Sequence, residues 1–163
     1  MKKIIALALI TGLAGCFSRE PAKTGLEGKP LPSFSLQLSD SVGFANTSAA
    51  PLDKPVALFY FGPHCPYSRE QAKEIAEDID RLKDIQFYFV TTASLKEMKK
   101  FIDRYQLSRF KNVITGRDTS GFVKDYYEIV GVPYMALFTK DKKLNKSYYG
   151  KIYTNQIIEG VKE

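Results

Sequence analysis

The pattern of hydrophobic and polar positions predicts strands that alternate with helices. Residues 56–61 form an unbroken apolar run, which has the length and composition of a strand buried on both faces. Gly62-Pro63 breaks that run, and apolar residues then recur at spacings of three and four from Ala72 to Leu82. This spacing predicts a helix that begins at Pro66, because proline is favoured in the first helical position.

The same pattern continues on both sides of this unit. Further strands are predicted at residues 33–38, 85–91, 112–115, 134–139 and 146–152, with a hairpin arm at residues 43–47. Further helices are predicted from the capping box at Ser94, from Phe122 to a stop at Gly131, and from Thr154. This order favours parallel strands joined by right-handed crossovers, followed by an antiparallel part. The prediction is an α/β domain with a mixed central β-sheet, helices on both faces and an N-terminal β-hairpin extension.

The first residues have the composition of an export signal. Lys2-Lys3 precedes an apolar run at residues 4–13, which is too short to span a bilayer. Leu13-Ala-Gly-Cys16 resembles the lipobox of bacterial lipoproteins, in which the cysteine carries the lipid. The expected segments are a signal peptide (1–15), a lipidated N-terminus and flexible tether (16–29) and one domain (30–163). A lipid on Cys16 anchors the protein to a membrane of the bacterial cell envelope, facing the periplasm; the alternative is an ordinary secretory signal with an incidental cysteine.

Cys65 is the candidate reactive residue. The chain has two cysteines, so if Cys16 carries lipid, Cys65 is the single free thiol of the mature protein. It lies at the predicted start of a helix, where free N–H groups and the helix dipole stabilise an anion, and we expect a nucleophilic thiol. The amides of Tyr67 and Ser68, the Ser68 hydroxyl and a protonated His64 are candidates for stabilising the thiolate. A solvent-exposed His64 without a role is the alternative.

Two motifs resemble thioredoxin-fold proteins. Phe61-Gly-Pro-His-Cys-Pro-Tyr-Ser-Arg69 is similar to the active-site turn of that superfamily, where a Cys-x-x-Cys pair opens the first helix. Val130-Gly-Val-Pro-Tyr134 resembles the segment whose cis proline faces the reactive cysteine. With the segment at residues 28–36, the resemblance is nearest the membrane-tethered TlpA-like branch and covers residues 28–163.

The resemblance implies a thioredoxin fold with a cis Val132–Pro133 bond opposite the Cys65 sulfur. It also implies that the backbone of Val132 pairs with an extended substrate segment as an added strand. The expected substrate-binding residues are His64, Pro66, Tyr67 and Val132.

One departure from the family pattern removes the usual chemistry. Position 68 is serine where the family has its second cysteine, and a serine hydroxyl cannot resolve a mixed disulfide. Phe59 stands where thioredoxins bury an aspartate. Gln71 stands where TlpA-like proteins tend to keep a glutamate, although Glu70 is adjacent. The expected catalytic residues are Cys65, Ser68 and Pro133.

The length, composition and charge of the chain limit the number of domains and the classes of partner. The 163 residues suffice for one domain, and 44% of them are hydrophobic. The chain has 24 basic and 18 acidic residues, and removal of Lys2 and Lys3 leaves 22 against 18, a net charge of +4. Because the positive residues are scattered, a solvated surface is favoured over a nucleic-acid interface. We expect a monomer without a metal or cofactor.

Three functions remain open from the sequence. The first is a monothiol redox protein, in which Cys65 exchanges with a protein or small-molecule disulfide and a second thiol resolves the product. The second is a degenerate binding module that keeps the peptide groove and does no chemistry. The third is a single-cysteine peroxidase, because Cys-Pro also occurs in peroxiredoxins. That family needs a threonine and a proline where this chain has Gly62 and Leu58.

Overall fold

The computed structural model describes residues 19–162, which form one mixed β-sheet covered by helices. The strands are β1 (Ser35–Gln37), β2 (Phe44–Asn46), β3 (Val56–Tyr60), β4 (Gln86–Thr91), β5 (Val113–Arg117), β6 (Tyr134–Phe138) and β7 (Leu144–Tyr149). Their order across the sheet is β2-β1-β5-β4-β3-β6-β7. β3, β4 and β5 are parallel, and the other neighbouring pairs are antiparallel. The predicted mixed sheet and N-terminal hairpin are confirmed.

Helices cover both faces of the sheet. They are α1 (Pro66–Glu77), α2 (Leu95–Tyr105), α3 (Phe122–Tyr126) and α4 (Thr154–Gly160), with 3-10 turns at Thr47–Ala49, Ile79–Arg81 and Leu107–Arg109. Phe59 of β3 packs in the cluster that contains residues of α1, α2 and α4, whereas Leu58 packs in the cluster that contains α3. Successive residues of a strand point to opposite faces, so the unbroken apolar run of β3 is explained by burial on both sides.

The ends of several strands meet at one end of the sheet. Tyr60, the last residue of β3, pairs with Val90 near the end of β4 and with Tyr134 at the start of β6. Tyr134 in turn pairs with Tyr149, the last residue of β7. The loops that follow β3, β4 and β7 and the loop that precedes β6 therefore lie together. We call this the cysteine end, because Cys65 follows β3.

Two helices end earlier than the apolar pattern predicted. α1 ends at Glu77, and the buried Leu82 belongs to the 3-10 turn and loop that follow. α3 ends at Tyr126, and the predicted stop at Gly131 is wrong. The chain reverses at Glu128, which has a φ of 50°, so Ile129 is buried and Val130 is 90% exposed. A left-handed residue with a side chain leaves no glycine signal in the sequence.

Residues 19–31 run along the outer edge of β7, and we call them the N-terminal strap. The Ala22 N–H donates to the Ser147 carbonyl at 2.8 Å, and the Leu144 N–H donates to the Lys29 carbonyl at 2.9 Å. A flexible tether was predicted over residues 16–29, but residues 22, 28 and 29 are hydrogen-bonded to β7. The predicted signal peptide and Cys16 lie outside the described residues. Within residues 19–162, none of the helices has both the length and the hydropathy needed to cross a membrane.

Candidate active site

The turn between β3 and α1 presents Cys65 at the N-terminus of a helix. Cys65 is the N-cap residue of α1, and Pro66 occupies the first helical position. The Cys65 N–H donates to the Gly62 carbonyl at 3.0 Å, and the Cys65 carbonyl accepts from Arg69 N at 3.1 Å. These bonds fix a tight turn in which the thiol is half-buried. The predicted helix start is confirmed.

The Cys65 thiol faces the proline segment that precedes β6. The Val132–Pro133 peptide bond is cis, and the Cys65 Sγ donates to the Val132 carbonyl at 3.4 Å. The predicted cis bond and its position opposite the sulfur are therefore confirmed. The sulfur makes no capping bond to the first amides of α1, so stabilisation of a thiolate by the amides of Tyr67 and Ser68 stays a prediction.

The residues predicted to bind substrate surround this contact. Tyr67 is 61% exposed at the first turn of α1, and Val132 is 37% exposed. Pro66 is also exposed. Gly62 lies against Val132: a Cβ at position 62 would meet Val132 Cγ2 at 3.0 Å. A side chain at this position would push the proline segment away from the cysteine.

Ser68 is completely buried beneath the turn. Its Oγ accepts from the Gly62 N–H at 3.2 Å. A buried backbone N–H without a partner is costly, so this hydroxyl has a structural role in holding the turn. Ser68 therefore lies next to the site, in the direction of the core.

The outward side of the turn carries a hydrogen-bonded histidine–glutamate pair. His64 Nε2 and Glu97 Oε1 are 2.7 Å apart, and the His64 side chain is 76% exposed. The other oxygen of Glu97, Oε2, accepts from Ser94 N at 3.1 Å and from Ser94 Oγ at 2.6 Å, which completes the predicted capping box of α2. Hydrogen bonds from Ser94 and then from His64 lower the pKa of Glu97 to about 2. His64 is exposed, but it has a partner.

The inward side carries no carboxylate at the two positions where the family places one. Phe59 is fully buried, with its ring stacked on Phe61 at 5.8 Å and edge-on to Phe89 at 4.9 Å between centroids. Gln71 is also fully buried, and its Oε1 accepts from the Ile152 N–H at 2.7 Å. Its Nε2 has no hydrogen-bond partner among the described residues.

Tyr134, which lies beside the site, carries a buried phenol. Tyr134 follows the cis proline, and burial raises its pKa to about 12. A phenol with such a pKa stays protonated near neutral pH and does not act as a base there. Neither a phenolate at Tyr134 nor a carboxylate at position 59 or 71 is therefore available on the inward side as a proton acceptor for Cys65.

The structure brings the predicted residues together and adds one that the sequence analysis missed. Cys65, Ser68, His64, Pro66, Tyr67, Val132 and Pro133 all lie at the cysteine end. Glu97 was recognised only as a capping residue. Since β3 and β4 are parallel neighbours, the segments that follow them lie side by side. The His64–Glu97 pair could therefore have been predicted from the parallel pairing of β3 and β4 and from the presence of a single histidine in the sequence.

Comparison with solved structures defines the class of fold. A secreted disulfide oxidoreductase from Mycobacterium tuberculosis, described as homologous to E. coli DsbE, aligns with a TM-score of 0.65 and 17% identity over 78% of this chain and 93% of that chain. A putative thiol:disulfide interchange protein DsbE from Chlorobium tepidum aligns with a TM-score of 0.64 and 17% identity, over 83% and 97%. A peroxiredoxin-like protein from Aquifex aeolicus aligns with a TM-score of 0.66 and 13% identity, over 83% and 85%. The chain has the predicted thioredoxin-like fold.

The sequence comparison then defines the family. The AhpC/TSA family matches residues 28–149, which is most of the chain. This protein therefore belongs to the AhpC/TSA family. No curated protein matches the sequence. The finer placement in a TlpA-like branch stays a prediction.

Proposed function

We propose that this protein is an envelope-anchored lipoprotein that carries out thiol–disulfide exchange through Cys65 alone. The observation that supports this most directly is the half-buried Cys65 thiol at the start of α1, 3.4 Å from the carbonyl before a cis proline. A thiol in this position has a nucleophilic sulfur at the surface and an adjacent backbone edge on which an extended substrate can align.

The proposed reaction has two exchange steps. The Cys65 thiol loses its proton to solvent, and the thiolate attacks one sulfur of a partner disulfide. The new bond joins Cys65 to that sulfur, the partner's S–S bond breaks, and the second sulfur leaves as a thiolate that takes up a proton. An external thiol then attacks the mixed disulfide, forms a new disulfide with the bound group and releases Cys65. The external thiol supplies the reducing equivalent.

Ser68 explains why an external thiol is required. Ser68 is fully buried and stands where the resembling thioredoxin-fold proteins carry the second cysteine that attacks the first. Its Oγ accepts from Gly62, so the hydroxyl hydrogen is available as a donor to the Cys65 thiolate. The proposed partners are a protein disulfide and a protein or small-molecule thiol.

The proposed location follows from the N-terminal sequence. Lys2-Lys3, the short apolar run and Leu13-Ala-Gly-Cys16 support a lipid on Cys16 and a periplasm-facing position on a membrane of the cell envelope. Acylated Cys16 has no free thiol, so Cys65 is the only cysteine available for exchange in the mature chain.

A peptide-binding module without chemistry is the second candidate. It is favoured by one observation: the Cys65 thiol donates to the Val132 carbonyl and makes no bond to the helix amides that would stabilise the thiolate. A peroxidase is less compatible with the site. The threonine that such enzymes need would fall at Gly62, where even a Cβ meets Val132 Cγ2 at 3.0 Å.

Trapping of the mixed disulfide tests the proposed exchange. The mature protein is mixed with a disulfide reagent, and intact-mass measurement is expected to show one stable adduct on Cys65. Added thiol should remove the adduct, and Cys65→Ser should form none. Absence of an adduct on the folded wild-type protein would contradict the redox proposal and support the binding module. A separate mass measurement of the native N-terminus tests the acylation of Cys16.

A further inference from the structure

The N-terminal strap is hydrogen-bonded to β7 and to the residues that flank it. The Gly28 N–H donates to the Leu144 carbonyl at 2.7 Å, and the Leu31 N–H donates to the Lys142 carbonyl at 2.8 Å. The side chain of Ser147, fully buried in β7, donates to the Ala22 carbonyl at 3.1 Å. These contacts give the edge of β7 the partners that an unpaired edge strand lacks.

The direction of the strap brings its first described residue to the cysteine end. Ala22 bridges Ser147 and Pro30 bridges Lys143, both antiparallel, so the strap begins beside the end of β7 and finishes beside its start. Arg19 Nε donates to the Lys151 carbonyl at 3.0 Å, and Gln156 Nε2 donates to the Arg19 carbonyl at 2.9 Å.

Arg19 is close to the cis proline. A Cβ at Gly150 would lie 2.6 Å from Arg19 Cζ, and the Gly150 N–H donates to the Pro133 carbonyl at 2.7 Å. Pro133 follows Val132, whose carbonyl contacts the Cys65 thiol. A short chain of direct contacts therefore connects Arg19 to the reactive sulfur.

The bound strap shortens the connection between Cys16 and the folded domain. A free tether over residues 16–29 would reach roughly 45 Å when extended. With residues 19–31 bound to β7, only the steps from Cys16 to Arg19 remain, and these span at most about 11 Å. The anchor is thus close to the cysteine end and remote from the opposite end.

Most of the exposed apolar side chains of the described residues lie at the same end. Of seven large hydrophobic side chains that are exposed, four lie in loops or the first helical turn at the cysteine end: Tyr67, Val130, Val132 and Tyr153. Leu52 precedes β3 at the opposite end, and Val42 and Phe44 belong to the β1–β2 hairpin, whose turn runs back along β5 away from the cysteine end. Tyrosine and aliphatic side chains of this kind favour the interface between water and lipid.

We propose that the cysteine end is held against the lipid surface, so that Cys65 serves disulfides located at that surface. This inference rests on the lipid anchor of the proposed function. The bound strap sets the distance, and the apolar side chains favour the orientation. The substrate class is then a disulfide of a membrane-embedded protein near the bilayer surface.

Single tryptophans test the orientation without relying on thiol chemistry, because the chain contains no tryptophan. The full lipidated protein carrying Tyr153→Trp or, as matched control, Leu52→Trp is placed on vesicles of phosphatidylethanolamine and phosphatidylglycerol with brominated acyl chains. We expect quenching of the tryptophan at position 153 and none at position 52. Equal quenching at both positions, or none at position 153, would overturn the proposed orientation.

Two insertions test the role of the strap. Vesicles of the same lipids contain a phosphatidylethanolamine whose headgroup bears a pyridyl disulfide, and pyridine-thione release by Cys65 is followed. An insertion of about 20 Gly/Ser residues after Ser18 should slow the reaction about 20-fold, because effective concentration falls with roughly the −3/2 power of tether length. The same insertion between Leu31 and Pro32 should leave the rate unchanged, because the bound strap still sets the distance.

The outcomes separate this inference from the proposed function. Equal slowing by both insertions would show that the strap is free, and no slowing by either would show that the anchor does not position Cys65; each overturns the inference. Failure of the protein to float with vesicles would contradict the lipid anchor itself, and the inference with it. A soluble pyridyl disulfide measures the reactivity of Cys65 alone. If Cys65 is inert to it, exchange at Cys65 is contradicted, and the claim that Cys65 serves membrane disulfides falls with it.

Discussion

On the outward side of Cys65, His64 is exposed and paired with the carboxylate of Glu97. On the inward side, Ser68 and Gln71 are fully buried and neutral, and Phe59 is packed among aromatic rings. This exposed pair is in high dielectric, where even fully charged pairs contribute little. The buried groups are in a low-dielectric core, where any added charge has a large effect.

In the proposed reaction, the inward side of Cys65 controls the chemistry of the site. Changes on the inward side are expected to alter stability or the fate of the mixed disulfide, whereas changes on the outward side are expected to alter local order. The exposed pair would attract attention in a search for charged residues, but in the proposed reaction the buried neutral residues are the ones that leave Cys65 without a second thiol or a carboxylate.

Phe59→Asp is the substitution expected to have the largest effect. Loss of a buried phenylalanine side chain costs about 3–5 kcal/mol, and a buried unpaired carboxylate adds several kcal/mol more. Because the whole domain is stabilised by roughly 5–15 kcal/mol, we expect the variant to be unfolded by circular dichroism. Phe59→Leu is the control and should fold. A folded Phe59→Asp protein would show that the core accepts the carboxylate that thioredoxins place there.

Ser68→Cys is expected to change the chemistry with a smaller effect on the fold. Residues three apart at the first turn of a helix are close enough for a disulfide, so Cys65 and the introduced thiol should form one. Intact mass should then decrease by the two thiol hydrogens, and the adduct with a disulfide reagent should no longer accumulate. Ser68→Ala is the control, which should keep the stable adduct. Persistence of the adduct in Ser68→Cys would mean that position 68 cannot reach the Cys65 sulfur.

Gln71→Glu places a carboxylate where TlpA-like proteins tend to have one. Burial raises the pKa of such a group above its unfolded value of about 4.3. The variant should therefore match wild type near pH 4 and lose about 1–3 kcal/mol of stability at pH 8. At pH 8 the unfolded glutamate is ionised, whereas the folded protein must either bury that charge or keep the side chain protonated. Denaturant unfolding at both pH values measures this. Gln106→Glu, at an exposed position, should show no such pH dependence.

Substitution of Glu97 should have the smallest effect. Glu97→Gln keeps a side chain that can complete the capping box of α2 but loses the charge that faces His64, and we expect the Tm to fall by less than about 2 °C. Glu97→Ala also loses the cap and should lower the Tm by about 2–4 °C.

The pH dependence of the Glu97 effect has a definite sign. The pKa of Glu97 is lowered to about 2 in the folded protein, so its contribution to stability is present above the ordinary glutamate pKa of 4.5 and is lost as the pH falls towards 2. The difference between wild type and Glu97→Gln should therefore vanish near pH 2. A difference that grows at low pH would contradict the assigned hydrogen bonds.

Much of the sheet was predictable because its signals are local. The apolar run of β3, the proline that opens α1 and the capping box at Ser94 each depend on neighbouring residues. The cis Val132–Pro133 bond followed from the family resemblance, since an X–Pro bond alone favours trans. The third helix was predicted too long because Glu128, a non-glycine residue with positive φ, gives no turn signal.

What the sequence by itself determined about this protein is the set of chemical groups: one thiol outside the lipobox, a serine in place of the second cysteine, and no carboxylate at positions 59 and 71. Only the tertiary structure decided how they are arranged. The His64–Glu97 pair depends on β3 and β4 being parallel neighbours, and the strap depends on the free edge of β7. Both are contacts between residues far apart in the chain, and such contacts are specified by strand order and register rather than by local sequence.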